Sequence, residues 1–124
     1  MTRVLAIAAG GAVGSVLRYW LSSGVHAVFG RGFPYGTLAV NVIGCWFMGF
    51  LFVFFLDRLT NEAVWRAGIL IGVLGGFTTF SAFSMETFSL IEEGALVKAG
   101  LNAALSLVLC ILATWIGVLV ARQL

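Results

Sequence analysis

Charge is scarce in this sequence of 124 residues. It contains 7 Lys and Arg and 5 Asp and Glu, so that 10% of the residues are charged and the formal net charge is +2. Because a soluble domain carries about 25% charged residues, this composition excludes a soluble catalytic or nucleotide-binding domain, and we expect that the protein is not an enzyme. A net charge this small gives little attraction to a polyanion, so we expect no nucleic acid partner.

Proline, cysteine and histidine are also rare, with 1 Pro, 2 Cys and 1 His. Cys45 and Cys110 both fall in uncharged apolar stretches. They do not form the disulfide framework of a secreted domain, and neither belongs to a metal-ligand spacing, so small apolar packing is the favoured role for both. His26 falls in a predicted loop and is interpreted as a solvated side chain.

Apolar residues, in contrast, are abundant: 61% of the residues are hydrophobic, and 16 are Gly. A membrane-spanning helix takes about 20 residues, so the chain has room for four spans, two ends and three short connections. The runs between the charges predict these spans, at about residues 3–25, 37–56, 65–91 and 97–122. We therefore predict an all-α membrane protein, with a single four-helix transmembrane domain over residues 1–124.

The connections between the spans are short. They are predicted at residues 26–36, 57–64 and 92–98, and the third has Gly94 as its turn. Short connections make neighbouring helices antiparallel. An even number of spans then leaves both chain ends on one side of the membrane, together with the second connection.

Basic residues are divided almost evenly between the two sides. The side of the chain ends has Arg3, Arg58, Arg66 and Arg122, and the other side has Arg31 and Lys98 with Arg18 nearby. Because the positive-inside rule acts on such differences, this weak bias favours insertion in both orientations; the alternative is one orientation with a mild preference. Insertion both ways permits an antiparallel homodimer, which provides the interior that one four-helix bundle lacks.

The third span combines glycines with hydroxyl side chains. Gly75 and Gly76 weaken a helix, and Thr78 and Thr79 carry hydroxyls that compete for backbone bonds, so we predict that the helix breaks here. Carbonyls freed by such a break can coordinate a small cation. The alternative, which can coexist with a break, is a small-residue packing face of Gly68, Gly72 and Gly76.

Polar and aromatic side chains within the spans have two interpretations each. The side chain of Asn41 either forms an interhelical hydrogen bond or donates to a permeating anion. Phe80 and Phe83 lie on one helix face and either pack or turn their electropositive ring edges toward a pore. The fourth span has a polar group at every fourth position, namely Asn102, Ser106, Cys110 and Thr114. These groups either form hydrogen bonds between helices or line a polar track.

Charged side chains are absent from the span centres. Arg18 and Glu86 are the charges nearest the interiors, and snorkelling to the interface is the favoured interpretation for both. Arg18 could instead line a vestibule that attracts anions. A proton-coupled transporter needs a carboxylate deeper in the membrane than Glu86 is predicted to lie.

Three segments carry a family resemblance that extends over essentially the whole chain. They are Gly10-Gly11-x-x-Gly14 with Arg18, Gly36-Thr37-Leu38-x-x-Asn41, and Gly75-Gly76-Phe77-Thr78-Thr79-Phe80-Ser81-x-Phe83-Ser84. On these segments the chain resembles the small bacterial fluoride channels of the Fluc/CrcB family. The third segment is long and specific, whereas the first alone would be weak.

The resemblance implies a fluoride-selective channel in the bacterial inner membrane, through which cytoplasmic fluoride leaves passively and its toxicity is reduced. It implies a dual-topology antiparallel homodimer in the lipid bilayer, with the third span broken and a structural sodium ion at the dimer centre. Backbone carbonyls matching Gly75 and Thr78 would hold the sodium. The ion pathway would match Asn41, Phe80, Phe83, Ser81 and Arg18 and, by position alone, Ser106, Cys110 and Thr114.

Two departures from the family pattern concern the route of the ion. Ala82 stands where threonine is frequent, and Cys110 stands where serine is common, so one hydroxyl donor is missing and another is a weaker thiol.

The competing hypotheses are a four-span proton-coupled multidrug exporter, with Glu86 as its only candidate acid, and a structural subunit without transport activity.

Overall fold

A computed structural model describes residues 1–58 and 63–124 of the chain, and every element in these residues is helical. The elements are α1 (Thr2–Phe29), α2 (Tyr35–Arg58), α3 (Ala63–Arg66), a π-helix π1 (Ala67–Leu74), α4 (Gly75–Phe77), α5 (Phe80–Glu92) and α6 (Leu96–Arg122). Four stretches are long and apolar enough to cross a membrane: Thr2–Phe29, Tyr35–Leu56, Ala63–Glu92 and Leu96–Arg122. The prediction of an all-α protein with four membrane-spanning stretches is confirmed. The stretch Ala63–Glu92 is called the third span below.

The first connection is shorter than predicted. Helix α1 continues to Phe29, so the prediction that a loop begins at His26 is wrong. The four residues from His26 to Phe29 include no Gly or Pro, and the helix ends only at Gly30, whose positive φ of 84° suits glycine. Nδ1 of His26 lies 3.2 Å from the Gly30 carbonyl oxygen, close to this helix end.

The other connections fix which helix ends lie together. Gly94 has a φ of 80°, which confirms the predicted turn between α5 and α6. Nζ of Lys98 donates to the carbonyl oxygen of Gly32 at 3.2 Å, so the first and third connections meet at one end of the bundle. Arg3 and Arg66 line one cavity at the opposite end. The second predicted connection lies largely outside the described residues, which omit 59–62.

Helix α1 packs against the third span through glycines. A Cβ atom at Gly10 would overlap the carbonyl oxygen of Gly68, and one at Gly72 would lie 2.9 Å from the carbonyl oxygen of Ile7. A Cβ atom at Gly76 would lie 2.8 Å from the carbonyl oxygen of Gly11. The predicted small-residue face of the third span is therefore the contact with α1, and it coexists with an interruption further along the span.

Helices α2 and α6 form a second close pair. A Cβ atom at Gly49 would overlap the carbonyl oxygen of Thr114, and one at Gly117 would overlap that of Trp46. Large apolar side chains such as Ile111 and Trp115 remain exposed on the outside of α6. This distribution suits a protein whose surroundings are lipid or a second copy of itself, because small residues are found where membrane helices touch.

We predict that Gly10→Ala lowers the free energy of unfolding in detergent micelles by about 1–3 kcal/mol, because the added methyl group overpacks the contact with the third span. Denaturant unfolding followed by tryptophan fluorescence measures the change. Gly24→Ala is the matched control in the same helix, since nothing lies within 4 Å of a Cβ atom there. An equal effect of the two substitutions would contradict the close-packing argument.

Candidate functional site

The third span is interrupted at two threonines. Thr78 has φ −86° and ψ 155°, and Thr79 has φ −152° and ψ 121°, so both are extended between two helices. Thr79 caps the following helix, since its hydroxyl accepts a hydrogen bond from the Ala82 amide at 3.3 Å. Threonine is a favoured residue at such a cap.

The prediction named the glycine pair and the two threonines together, and the interruption lies at the threonines. Gly75 has φ −63° and ψ −38°, and Gly75 and Gly76 are both within α4. The capping threonine and a hydrogen-bond partner on α2 therefore fix the position of the interruption more strongly than the low helix propensity of glycine. The amide of Thr78 still bonds to the Leu74 carbonyl at 3.0 Å, so helical bonding persists up to that residue.

Asn41 is this partner on α2. Its Nδ2 donates to the carbonyl oxygen of Thr79 at 3.0 Å, and its Oδ1 accepts from the amide of Thr79 at 2.8 Å. In a continuous helix the Thr79 amide would bond to the carbonyl of Gly75, which here loses that donor. Asn41 thus makes the interhelical bond that was one of its two interpretations. Its second Nδ2 proton is available for another acceptor, because an amide has two donors.

A cavity of about 520 Å³ lies beside the interruption. Its lining is Asn41, Cys45, Thr78, Thr79, Phe80, Phe83, Ala103, Ser106, Leu107, Cys110 and Ile111. We call it the main cavity. It brings together five of the predicted pathway residues: Asn41, Phe80, Phe83, Ser106 and Cys110.

The main cavity is lined by neutral groups. Its polar members are an amide, hydroxyls and thiols, and its lining has no charged side chain. The rings of Phe80 and Phe83 are 5.3 Å apart between centroids and tilted by 49°. Phe80 is 78% exposed in the single chain, so the main cavity is open on that side.

A second cavity of about 230 Å³ contains the charged residues of this region. Its lining is Arg18, Tyr19, Ser22, Thr37, Val40, Thr79, Ala82 and Glu86. We call it the arginine cavity. Thr79 lines both cavities, so the extended backbone of the interruption lies between them.

Glu86 is bonded to the first turn of α2, and its snorkelling to the interface stays a prediction. Its Oε1 accepts a hydrogen bond from the Thr37 hydroxyl at 2.6 Å, and its Oε2 is buried without a hydrogen-bond partner in the described part of the chain. Arg18 shares the arginine cavity with it.

Three of the predicted site residues are outside the lining of both cavities. The Ser81 hydroxyl is exposed and lies 3.3 Å from that of Thr79. Thr114 donates to two backbone carbonyls, that of Cys45 at 3.2 Å and that of Cys110 at 3.0 Å. Gly75 is exposed at the surface of the single chain.

The polar stripe of α6 therefore has two roles. Asn102 is 2% exposed and donates to the Thr87 hydroxyl at 2.8 Å, so it bonds α6 to α5. Thr114 at the other end bonds α6 to α2, and Ser106 and Cys110 between them face the main cavity. The two interpretations of the stripe, as interhelical hydrogen bonds and as a polar track, therefore apply to different residues of it.

Cys45, Thr37 and Thr79 belong to the site although none of them was predicted to do so. A signal for two of them was present, since Thr37, Asn41 and Cys45 follow one another at intervals of four residues and so share a face of α2. Thr79 had been considered only as a helix breaker. Its contribution to both cavities depends on the extended backbone.

Four long apolar helices and a neutral cavity beside an interrupted helix define a multi-pass membrane protein. Residues 5–118 match the model of a family described as CrcB-like protein, Camphor Resistance (CrcB). The chain belongs to this CrcB-like family. Its relatives are bacterial, and the chain is a multi-pass bacterial membrane protein.

Three relatives carry the name fluoride-specific ion channel FluC. That of Geobacter sulfurreducens is 52% identical over 124 residues, which are 100% of both chains. That of Coxiella burnetii is 52% identical over 122 residues, 98% of each chain. That of Methylococcus capsulatus is 51% identical over 121 residues, which are 98% of this chain but only 53% of the length of that relative.

We predict that Asn41→Ala lowers the free energy of unfolding in detergent by about 1–3 kcal/mol, because it leaves the amide and carbonyl of Thr79 without their partner. Denaturant unfolding measures this change. Ser84→Ala is the control, because Ser84 is exposed on α5. A variant lacking Asn41 that is as stable as the wild type would show that the bonds to Thr79 do not hold the interruption.

Proposed function

We propose that this chain is a passive, fluoride-selective ion channel. The observation that carries the proposal is the main cavity, in which Asn41, Phe80 and Phe83 meet Ser106 and Cys110 without a charged side chain in the lining. The names of the relatives, which are identical to this chain at about half of the positions, support fluoride as the ion.

The chemistry of the main cavity suits fluoride. Fluoride is small, strongly hydrated and a strong hydrogen-bond acceptor, so a narrow path has to replace its water with donors. The amide of Asn41 and the hydroxyl of Ser106 are such donors, and the edges of the Phe80 and Phe83 rings are electropositive. Neutral donors bind an anion weakly enough that it leaves again, which conduction requires.

The arginine cavity is suited to the entrance of the pathway. The guanidinium of Arg18 attracts anions, while Glu86 in the same cavity limits how tightly an anion is held there. Because Thr79 lines both cavities, a route from one to the other passes the interruption. Ser81 lies next to Thr79 on this route and offers another hydroxyl.

The channel is proposed to be an antiparallel homodimer with both orientations in the membrane. Phe80 is 78% exposed in the single chain, although it borders the main cavity, so a second copy is needed to enclose the path. The weak division of basic residues between the two sides permits opposite insertion. A two-fold axis in the membrane plane then brings the two interruptions together near mid-membrane.

A structural sodium ion at the dimer centre is proposed to join the two copies. The carbonyl of Gly75 has lost its helical donor, because the Thr79 amide bonds to Asn41 instead. Thr78 is extended, so its carbonyl also lies outside regular helix geometry. Carbonyl oxygens of this kind suit a hard cation such as sodium. The ion would supply positive charge that neutralises converging carbonyl dipoles.

Passive conduction is sufficient for protection against fluoride. Hydrogen fluoride enters a cell from an acidic medium and dissociates inside, so an open fluoride path lowers the internal load. A proton-coupled multidrug exporter is not favoured, because Glu86 bonds to Thr37 and does not line the main cavity.

We predict that proteoliposomes containing the protein release fluoride, measured with a fluoride electrode, and release little chloride under the same gradient. Phe80→Leu should slow fluoride release roughly fivefold, because an aromatic edge contact contributes about 1 kcal/mol. Phe88→Leu is the matched control, since Phe88 is an exposed ring on the same helix outside both cavities.

Chloride release as fast as fluoride release would contradict selectivity, and an equal loss in the Phe80 and Phe88 variants would contradict the assigned path. Proton-driven uptake of a cationic dye that disappears in Glu86→Gln would support the exporter instead. Well-folded protein that releases neither anion would favour a structural subunit.

We predict that replacing sodium by N-methyl-D-glucamine lowers the thermal stability of the purified dimer, because an ion that binds only the folded assembly stabilises it. The melting temperature is measured at fixed ionic strength, and potassium serves as a second control for a cation of the same charge. Identical melting temperatures in the three salts would contradict a structural sodium site.

A further inference from the structure

Two thiols line the main cavity. Cys45 of α2 and Cys110 of α6 both border it, both are free, and both are partly exposed. The proposed route of fluoride uses Cys110 only as one weak donor and does not require Cys45.

The backbone holds this thiol pair in place. The hydroxyl of Thr114 donates to the carbonyl of Cys45 at 3.2 Å and to that of Cys110 at 3.0 Å, which ties both residues to one group. Gly49 follows Cys45 by one turn and Gly117 follows Cys110 by two, and a Cβ atom at either glycine would overlap the facing helix. The distance between the two cysteine backbones is therefore fixed by the helix pair and does not depend on flexible loops.

We infer that Cys45 and Cys110 together bind one soft, thiophilic metal cation inside the main cavity. Thiolate ligands select soft metal ions. Among the described residues no group of three or more His, Cys, Asp or Glu is placed to hold a metal. The pair therefore suits ions that accept linear coordination by two sulfur ligands, and Hg²⁺ is a convenient probe of such a site.

Binding exchanges protons for metal. Two S–H bonds break and two mercury–sulfur bonds form, and the two protons pass to the buffer, since the bound form of each ligand is the thiolate. Metal–sulfur bonds are about 2.3 Å long for zinc, so a linear unit places the two sulfurs roughly 4.6 Å apart. Rotation of the two side chains adjusts the distance between the sulfurs, and a cavity of about 520 Å³ leaves room for it.

A metal ion at this position would obstruct the fluoride path. Asn41, Phe80 and Phe83 line the same cavity as the thiol pair, so the ion occupies the space through which fluoride is proposed to pass. This consequence rests on the proposed function, whereas metal binding itself does not.

The binding test uses the purified full-length protein in detergent, titrated with mercuric chloride in an excess of a competing monothiol. After gel filtration has removed the mercury–monothiol complex, the mercury retained by the protein should saturate at one ion per chain and should carry the ultraviolet charge-transfer absorption of mercury–thiolate. Cys45→Ser and Cys110→Ser should each retain almost no mercury, because a single thiol cannot outcompete the monothiol. Equal retention by either single variant and the wild type would overturn the two-sulfur site.

The flux test measures fluoride release from proteoliposomes with and without mercuric chloride, with each variant compared with its own metal-free rate. Wild-type release should be nearly abolished by the metal and recovered with dithiothreitol, whereas the variant with both cysteines replaced by serine should keep its metal-free rate. Block of equal size in the double variant, or saturated binding without block in the wild type, would contradict occlusion of the path. Absence of fluoride release without metal would instead contradict the proposed function and leave the titration intact.

Discussion

The two hydrogen bonds between the Asn41 side chain and the backbone of Thr79 are the interaction on which the rest of the site depends. They replace the helical bond that the Thr79 amide would otherwise make to Gly75, and so they keep two residues extended inside an apolar bundle. Buried backbone groups need such partners, because unsatisfied ones are costly in lipid. The opening of the main cavity, the start of α5 and the release of the Gly75 carbonyl all follow from this one exchange.

The proposed pathway has neutral donors in place of charge. The scarcity of charge first indicated a membrane protein, and in the structure it recurs as a main cavity lined by an amide, hydroxyls, thiols, two rings and aliphatic side chains. Arg18 and Glu86 lie instead in the arginine cavity, on the other side of Thr79. The same scarcity leaves the topology bias weak, so one composition suits both parts of the proposal, an antiparallel assembly and a weakly binding path for an anion.

Composition and periodicity were sufficient for the four spans, the turn at Gly94 and the glycine face between α1 and the third span. They indicated an interruption over the glycines and threonines together but not which of these residues is extended, since glycine propensity is a local property while Thr79 is held by a residue 38 positions away. For the same reason the sequence could not divide the α6 stripe into the bonded Asn102 and Thr114 and the cavity-facing Ser106 and Cys110. The bond between Thr37 and Glu86 likewise joins residues 49 positions apart.

The central claim is that a path of neutral donors beside the interruption conducts fluoride in preference to chloride. The most direct measurement is the reversal potential of the purified protein in a planar bilayer, with fluoride on one side and chloride at equal concentration on the other. We expect a large reversal potential of the sign that fluoride permeation dictates, with the same magnitude when the two solutions are exchanged. A reversal potential near zero would mean equal permeation of both anions and would contradict the account.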